Sequence, residues 1–478
     1  MRAKVMPSSP DQSEIPEVLR VATAEAEAFL WELDKRPVRP ELAEKGLDAF
    51  GGQLPEGGQG ALEAVRLLAE DGTAAAIGSA GPRFFHFVIG GVTPAALGAD
   101  WLTSAMDQNA GAWVSSPLAS RLEVVALDWL RDLFGLPAGW GGVLTTGATM
   151  ANFVGLAAGR RWWGQRHGVD VDEEGLAKLP AVPVLSSGYI HSTALKALSM
   201  LGVGRGSVSK IARDAAGRVD LEAMDGALAG LGGAPAIIVA NAGEVNAGDF
   251  DPIDAMADLA EKHTAWLHVD GAFGLFAALT PKASHLVRGV ERADSVIADG
   301  HKWLNVPYDS GFAFVRDPAL LGGPFALEAA YLPRSDDPQP AFMHLTPESS
   351  QRARALTVWA TLRAYGRSGY RDMVERHLAL AQRVARRVDE APDLERLAEV
   401  PLNIVCFRFR PPELPEAELD ELNRRLGQAV LEDGRVYVGT TVYEGRVAFR
   451  PAIVNWRTTE DDVDELVDVI RELGAKLL

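Results

Sequence analysis

Cysteine is nearly absent from this 478-residue chain. Cys406 stands alone, which excludes an intramolecular disulfide framework and any cysteine-based metal cluster and fits a reducing compartment. No metal is expected. Basic residues are in deficit, 47 Lys and Arg against 65 Asp and Glu, and the net charge of -18 argues against nucleic acid or an anionic membrane as a partner. No apolar run reaches the roughly 18 residues of a membrane span. The opening Met1-Arg-Ala-Lys-Val-Met-Pro7 lacks the apolar centre of a signal peptide, so the protein is expected in the cytoplasm. What remains is ordinary for a globular protein, 47% hydrophobic and 23% charged, with length for roughly three domain-sized units.

One stretch asks for a chemical reason: Asp299-Gly-His-Lys-Trp-Leu-Asn-Val-Pro-Tyr-Asp-Ser-Gly311. Short apolar runs of strand type precede it (residues 293–298) and follow it (311–315), so Lys302 sits on a connection between two buried strands, flanked by His301 and Trp303. A lysine placed there is partly desolvated, which favours the uncharged amine that attacks carbonyls and forms Schiff bases. The alternative is a lysine that snorkels to solvent.

Taken in order, the chain opens with an amphipathic helix over residues 16–33, which ends at Arg36-Pro-Val-Arg-Pro40. Gly81-Pro-Arg-Phe-Phe-His-Phe-Val-Ile-Gly-Gly91 reads as a tight loop in which His86 alone titrates near neutrality; by itself it is a packed histidine of an aromatic cluster. A long helix over 117–136 closes at Gly135-Leu-Pro137. A strand over 142–146 then runs through Gly147-Ala-Thr149 into a helix, and such a junction is either an anion seat or a routine turn. Strands near 182–185, 208–211, 236–240 and 265–269 alternate with helical stretches such as 192–201 and 253–262, which implies a mostly parallel sheet covered on both faces. His191, Asp270 and Lys302 fall beyond strand ends, where such sheets bind ligands. Asp270 in isolation also reads as a helix cap. The remainder predicts a helix over 370–390, strands near 403–409, 436–438 and 446–449, and a helix over 460–473 capped by Thr458.

Together, His-Lys-Trp at 301–303, His-Val-Asp-Gly-Ala at 268–272, Thr146-Gly-Ala-Thr149 and His191 resemble the pyridoxal-phosphate group II amino-acid decarboxylases, the family of aromatic-amino-acid and glutamate decarboxylases, over nearly the whole chain. The resemblance implies the type I pyridoxal-phosphate (aspartate aminotransferase-like) α/β fold. It implies a Schiff base on Lys302, a protonated ring nitrogen paired with Asp270, His191 stacked on one ring face and Ala272 on the other. Gly147, Ala148 and Thr149 would hold the phosphate, with His301 beside the lysine near the substrate carboxylate. Tyr331, in a segment similar to the family's mobile catalytic loop, would deliver a proton to the carbanion that decarboxylation leaves. Arg450 resembles the arginine that binds the α-carboxylate, with a surface arginine as the alternative; Arg352 and Arg354, in an arginine-rich segment where Gln351 replaces a frequent arginine, compete for that reach. The pocket walls would come from loops of both subunits near Phe84, Phe85, His86 and Trp101, which makes His86 a candidate substrate contact.

The implied reaction is decarboxylation of an L-amino acid by an obligate homodimer. Residues 1–100 would form an N-terminal arm, 101–370 the large cofactor domain and 371–478 a small α+β domain. Two departures stand out: Asp-Gly-His-Lys replaces Asp-Pro-His-Lys, and Ala240-Asn-Ala-Gly-Glu-Val-Asn-Ala-Gly248 replaces the threonine-rich version of the aromatic-amino-acid members, which leaves the contacts to the ring hydroxyl and the substrate open. The rival readings are an aminotransferase or lyase on the same fold, and a non-catalytic dimeric binding module.

Overall fold

The computed structural model describes residues 11–41, 46–213, 218–327, 329, 332–334 and 338–478. Seven strands make the main sheet: β1 (Gly141–Thr145), β2 (Val184–Ser187), β3 (Val208–Ile211), β4 (Ala236–Asn241), β5 (Ala265–Asp270), β6 (Ser295–Asp299) and β7 (Gly311–Val315). Their order is β1-β7-β6-β5-β4-β2-β3. The pairs from β3 to β6 are parallel, and β7 runs antiparallel between β1 and β6. Every residue of β4, β5, β6 and β7 is buried. That explains their near-continuous apolar runs, since helices cover both sheet faces and leave no solvent side to alternate with.

The helices that matter for the site are α1 (Ile15–Glu32), α2 (Pro94–Met106), α3 (Pro117–Phe134), α4 (Ala148–Arg166), α5 (Ser192–Met200), α6 (Ile253–His263) and α7 (Ala355–Glu390). The start and stop of α3 follow local chemistry: the Ser116 hydroxyl accepts the Ala119 N–H at 3.2 Å, Pro117 occupies the first turn, and Gly135 at φ 73° takes the left-handed closing position. Helix α4 crosses β5, β6 and β7, while α6 packs on β4 and β5. The carboxyl ends of β1, β2, β4, β5 and β6 lie along one edge, bringing Thr145, Ser187, Asn241, Asp270 and Asp299 together.

A second, four-stranded sheet contains β8 (Leu394–Arg396), β9 (Phe407–Phe409), β10 (Thr440–Tyr443) and β11 (Arg446–Phe449) in the order β10-β11-β9-β8. With the second half of α7, α8 (Glu416–Asp433) and α9 (Glu460–Lys476), it encloses its own apolar core. Helix α7 begins well before the expected residue 370 because its first turns pack on α2 and α3; Gly366 at φ 60° kinks it.

Three local expectations are corrected. No strand forms at 436–438: Tyr437 makes a single bridge to Phe84, exchanging backbone hydrogen bonds with Arg83 and Phe85, and the two rings stack at 5.0 Å. The strand expected from 403 is confined to 407–409, Ile404 making only a bridge to Ala452. The cap of α9 is Thr459, whose hydroxyl and N–H pair with Asp462, while the Thr458 hydroxyl donates to the Pro82 carbonyl at 2.8 Å.

Candidate active site

The strand-end edge opens onto a cavity of about 470 Å³, lined among others by Thr149, His191, Glu244, Asp270, Lys302 and Arg450. Lys302 lies on the helical turn Gly300–Leu304 between β6 and β7. The turn fits because its neighbours are small: a Cβ on Gly147, itself at φ 143°, would lie 2.9 Å from the His301 ring. The Lys302 Nζ is 3.4 Å from Asp299 Oδ2, and His301 Nε2 is 3.3 Å from the same oxygen. His301 Nδ1 accepts the Ser310 N–H at 3.3 Å, so its hydrogen sits on Nε2 and faces Asp299. Asp299 Oδ1 accepts the Ala148 N–H at 3.0 Å, so the N-terminus of α4 already holds one carboxylate.

Asp270 is fixed from below by a one-way chain of hydrogen bonds. Trp266 Nε1 can only donate, and it donates to Ser295 Oγ at 2.9 Å. Asn152 Oδ1 can only accept, so the ring hydrogen of neutral His268 sits on Nε2 and is donated to it at 2.7 Å, which leaves Nδ1 to accept the Ser295 hydroxyl hydrogen at 2.8 Å. Asn152 Nδ2 then donates to Asp270 Oδ2 at 2.9 Å, and Ala272 N–H donates to Oδ1 at 3.2 Å. Burial pushes the pKa of His268 down to about 4, keeping it neutral as the chain requires.

The same asparagine reaches His191. Asn152 Nδ2 donates to Thr193 Oγ1 at 3.3 Å, and the threonine hydroxyl lies 2.7 Å from His191 Nδ1, which also accepts the Thr193 N–H and caps α5. Burial holds the pKa of His191 below the usual histidine range, with Asp270 opposing and Lys302 and Arg450 reinforcing.

Arg450 follows β11 and is no surface arginine: it is only 8% exposed, lines the cavity, and its Nη1 is buried without a hydrogen-bond partner. Arg352 instead bonds Asp100 and Ser104, and Arg354 bonds Asp309 at 2.6 Å. Gly147, Ala148, Thr149 and Ala272 all line the cavity. Phe87 and Val88 line it too, whereas His86 lies just behind them, its ring 3.6 Å from that of Phe87 and its pKa pushed to about 4 by burial and by Arg450. Tyr331 lies outside the described residues. On either side of it, the Leu327 N–H donates to His344 Nδ1 at 3.2 Å and His344 Nε2 donates to the Pro333 carbonyl at 3.0 Å. Cys406 is buried, its thiol pushed up to about 12, first by burial.

Sequence reasoning passed over Asn152, Ser295, Glu244 and the linking position of Asp299. Asn152 looks like a weak helix former inside an apolar helix, and a buried polar residue there is the one signal that could have found it.

The family model described as the pyridoxal-dependent decarboxylase conserved domain matches residues 74–410. An L-2,4-diaminobutyrate decarboxylase of Rhizobium meliloti (strain 1021) is 31% identical over 448 residues, covering 90% of this chain and 88% of the relative. An acidic amino acid decarboxylase of Mus musculus is 29% identical over 412 residues, covering 83% and 74%. The crystal structure of Oryza sativa TDC with PLP and tryptamine superposes with a TM-score of 0.90 at 26% identity, covering 98% of this chain and 99% of that one. With the parallel-sheet architecture and the lysine at its strand-end cavity, these matches show that the chain belongs to the pyridoxal-dependent decarboxylase family and is a pyridoxal-phosphate-dependent amino-acid decarboxylase of the type I fold.

Proposed function

We propose that Lys302 carries pyridoxal phosphate as a Schiff base, Asp270 pairs with the ring nitrogen, His191 and Ala272 flank the ring, and Gly147, Ala148 and Thr149 seat the phosphate. The donor set supports this fit: an amine, an oriented carboxylate, an imidazole and a glycine-bearing helix N-terminus line one cavity. When bound, the cofactor serves as the sink for the electron pair left by the departing carboxylate. The hydrogen bonds from Asn152 and Ala272 orient Asp270, and Thr193 fixes Nδ1 of His191. His301 stays beside Lys302 because Ser310 and Asp299 hold its two nitrogens.

The observation that carries the substrate reading is the unpartnered, buried Nη1 of Arg450 in the cavity that contains Lys302. A buried guanidinium N–H without an acceptor is costly, and an α-carboxylate supplies the missing acceptor in a charge-assisted pair. Arg450 thus binds the carboxylate of an L-amino acid, with His86 supporting the wall behind it. After carbon dioxide leaves, Tyr331 delivers a proton to the α-carbon; to either side of it in the chain, the Leu327 N–H and the Pro333 carbonyl both bond His344. The test is carbon dioxide release across the proteinogenic amino acids. Arg450→Gln is expected to raise KM at least about tenfold, the size of one charge-assisted hydrogen bond; an unchanged KM removes Arg450 from substrate binding.

The working form is a cytoplasmic homodimer. Its support is apolar surface on the N-terminal arm and α2: Ile15, Leu19 and Trp31 on α1 are exposed, as are Trp101, Leu102 and Met106 on α2, and a second copy would cover them. A single buried thiol fits a reducing compartment. Light scattering tests the assembly, and an active monomer at assay concentration rules it out.

A further inference from the structure

Glu244 lies on the loop after β4, is 5% exposed and lines the same cavity as Arg450, Tyr189 and Lys302. Its backbone N–H donates to the Asp249 carbonyl at 2.8 Å, and its carboxylate accepts from the loop that follows. Oε2 takes two donors of the following turn, the Asn246 N–H at 2.9 Å and the Asn246 Nδ2 amide at 2.8 Å. Oε1 takes the Ala247 N–H and the Gly248 N–H, the latter at 3.2 Å. A carboxylate has about four acceptor positions, so this one is saturated by its own loop. Burial pushes its pKa up, and these N–H donors oppose that shift. Its charge bears on Arg450, Asp249, Tyr189 and Cys406, so its field reaches across this side of the cavity.

Among the described lining residues the formal charges balance: Lys196, Lys302 and Arg450 against Glu244, Asp270 and Asp299. Under the reading above, cofactor phosphate and substrate α-carboxylate both add negative charge. Lys302 and Arg450 are already committed, and Lys196 stands exposed on α5, the helix packed beside α4. Among the described lining residues that one subunit contributes, no buried cation is left for a second substrate carboxylate.

We infer that Glu244 is a specificity determinant that excludes amino acids with an acidic side chain, so that the substrate class is an amino acid whose side chain is neutral or cationic. Because its oxygens are saturated, Glu244 acts through its field and does not grip the side chain. This deepens the decarboxylase reading and rests on it for the placement of the α-carboxylate. The names of the similar proteins cover diamino and acidic substrates alike, so family membership leaves this choice to the pocket.

The test uses pairs that differ in charge and hardly in shape: L-glutamate against L-glutamine and L-aspartate against L-asparagine, with L-tryptophan and L-2,4-diaminobutyrate as larger neutral and cationic probes. Binding to the holoenzyme is read from the perturbation of cofactor absorption, and turnover from carbon dioxide release. The wild type is expected to bind each amide at least about tenfold more tightly than its acid, the scale of one buried charge at several ångströms in an effective dielectric near 20. Glu244→Gln is expected to narrow that ratio towards one in a folded protein of lower melting temperature, because an amide NH2 then faces two N–H donors that an oxygen accepts in the wild type. A wild type that prefers the acids overturns the inference without any variant, and so does a folded Glu244→Gln protein with the wild-type ratio. If no probe releases carbon dioxide, the decarboxylase reading fails, while the binding ratios still decide the role of Glu244.

Discussion

Asn152 on α4 and Asp270 at the end of β5 are joined by a 2.9 Å hydrogen bond, and the asparagine spends its remaining amide hydrogen on Thr193 beneath His191. One side chain therefore positions two groups of the site. It can do so because His268, itself oriented by Ser295 and Trp266, holds its carbonyl oxygen.

Asn152→Ala should lower kcat about tenfold and reduce stability by roughly 1–3 kcal/mol, since His268 Nε2–H loses its buried acceptor. Asp270→Asn should cost more, about 100-fold in activity, near the ~3 kcal/mol of a charge-assisted hydrogen bond. Steady-state kinetics with thermal melts separate the two variants; an Asp270→Asn enzyme of nearly wild-type activity would reduce Asp270 to a helix cap.

Borohydride reduction of the holoenzyme followed by peptide mapping should place the pyridoxyl group on Lys302. Lys302→Ala should abolish that adduct. Labelling of a different lysine sinks the assignment.

Under the proton-donor role proposed for Tyr331, its hydroxyl is needed only after carbon dioxide has left, so Tyr331→Phe should retain cofactor and bind substrate, yet form amine much more slowly. Oxidised side products should accumulate. A normal amine yield in rapid-mixing experiments would remove Tyr331 from the proton transfer.

Glu123, buried on α3 and accepting the Leu144 N–H at 3.2 Å, has its pKa raised to about 8, chiefly by burial. The folded state thus binds its proton more tightly than the unfolded state, whose reference value is 4.5. Stability from this group is complete below pH 4.5 and is lost as pH rises from there through about 8. Glu123→Gln keeps an acceptor for Leu144 and should match the wild type near pH 5. It should exceed the wild type at pH 9 by on the order of 3 kcal/mol in denaturant melts; equal stability at both pH values would contradict the shift.

The alternation of apolar runs and helical stretches was enough to place the parallel sheet, because strands buried on both faces must be continuously apolar and local spacing records it. Lys302, Asp270 and His191 were legible for a related reason: reactive side chains directly after buried strands stand at the edge where such sheets bind ligands. The termini of short elements were less so. Tyr437 lost its expected strand to a contact with Phe84, and Thr458 lost its capping role to Pro82, both partners lying at the far end of the chain. The tertiary structure alone decided which arginine reaches the cavity, since Arg352 and Arg354 find Asp100 and Asp309 while Arg450 is left buried with an unpartnered nitrogen. It also decided the chain from Trp266 to Asp270 and the place of Glu244, because hydrogen bonds across α4, β5 and β6 depend on strand order and helix crossing, which no run of neighbouring residues encodes.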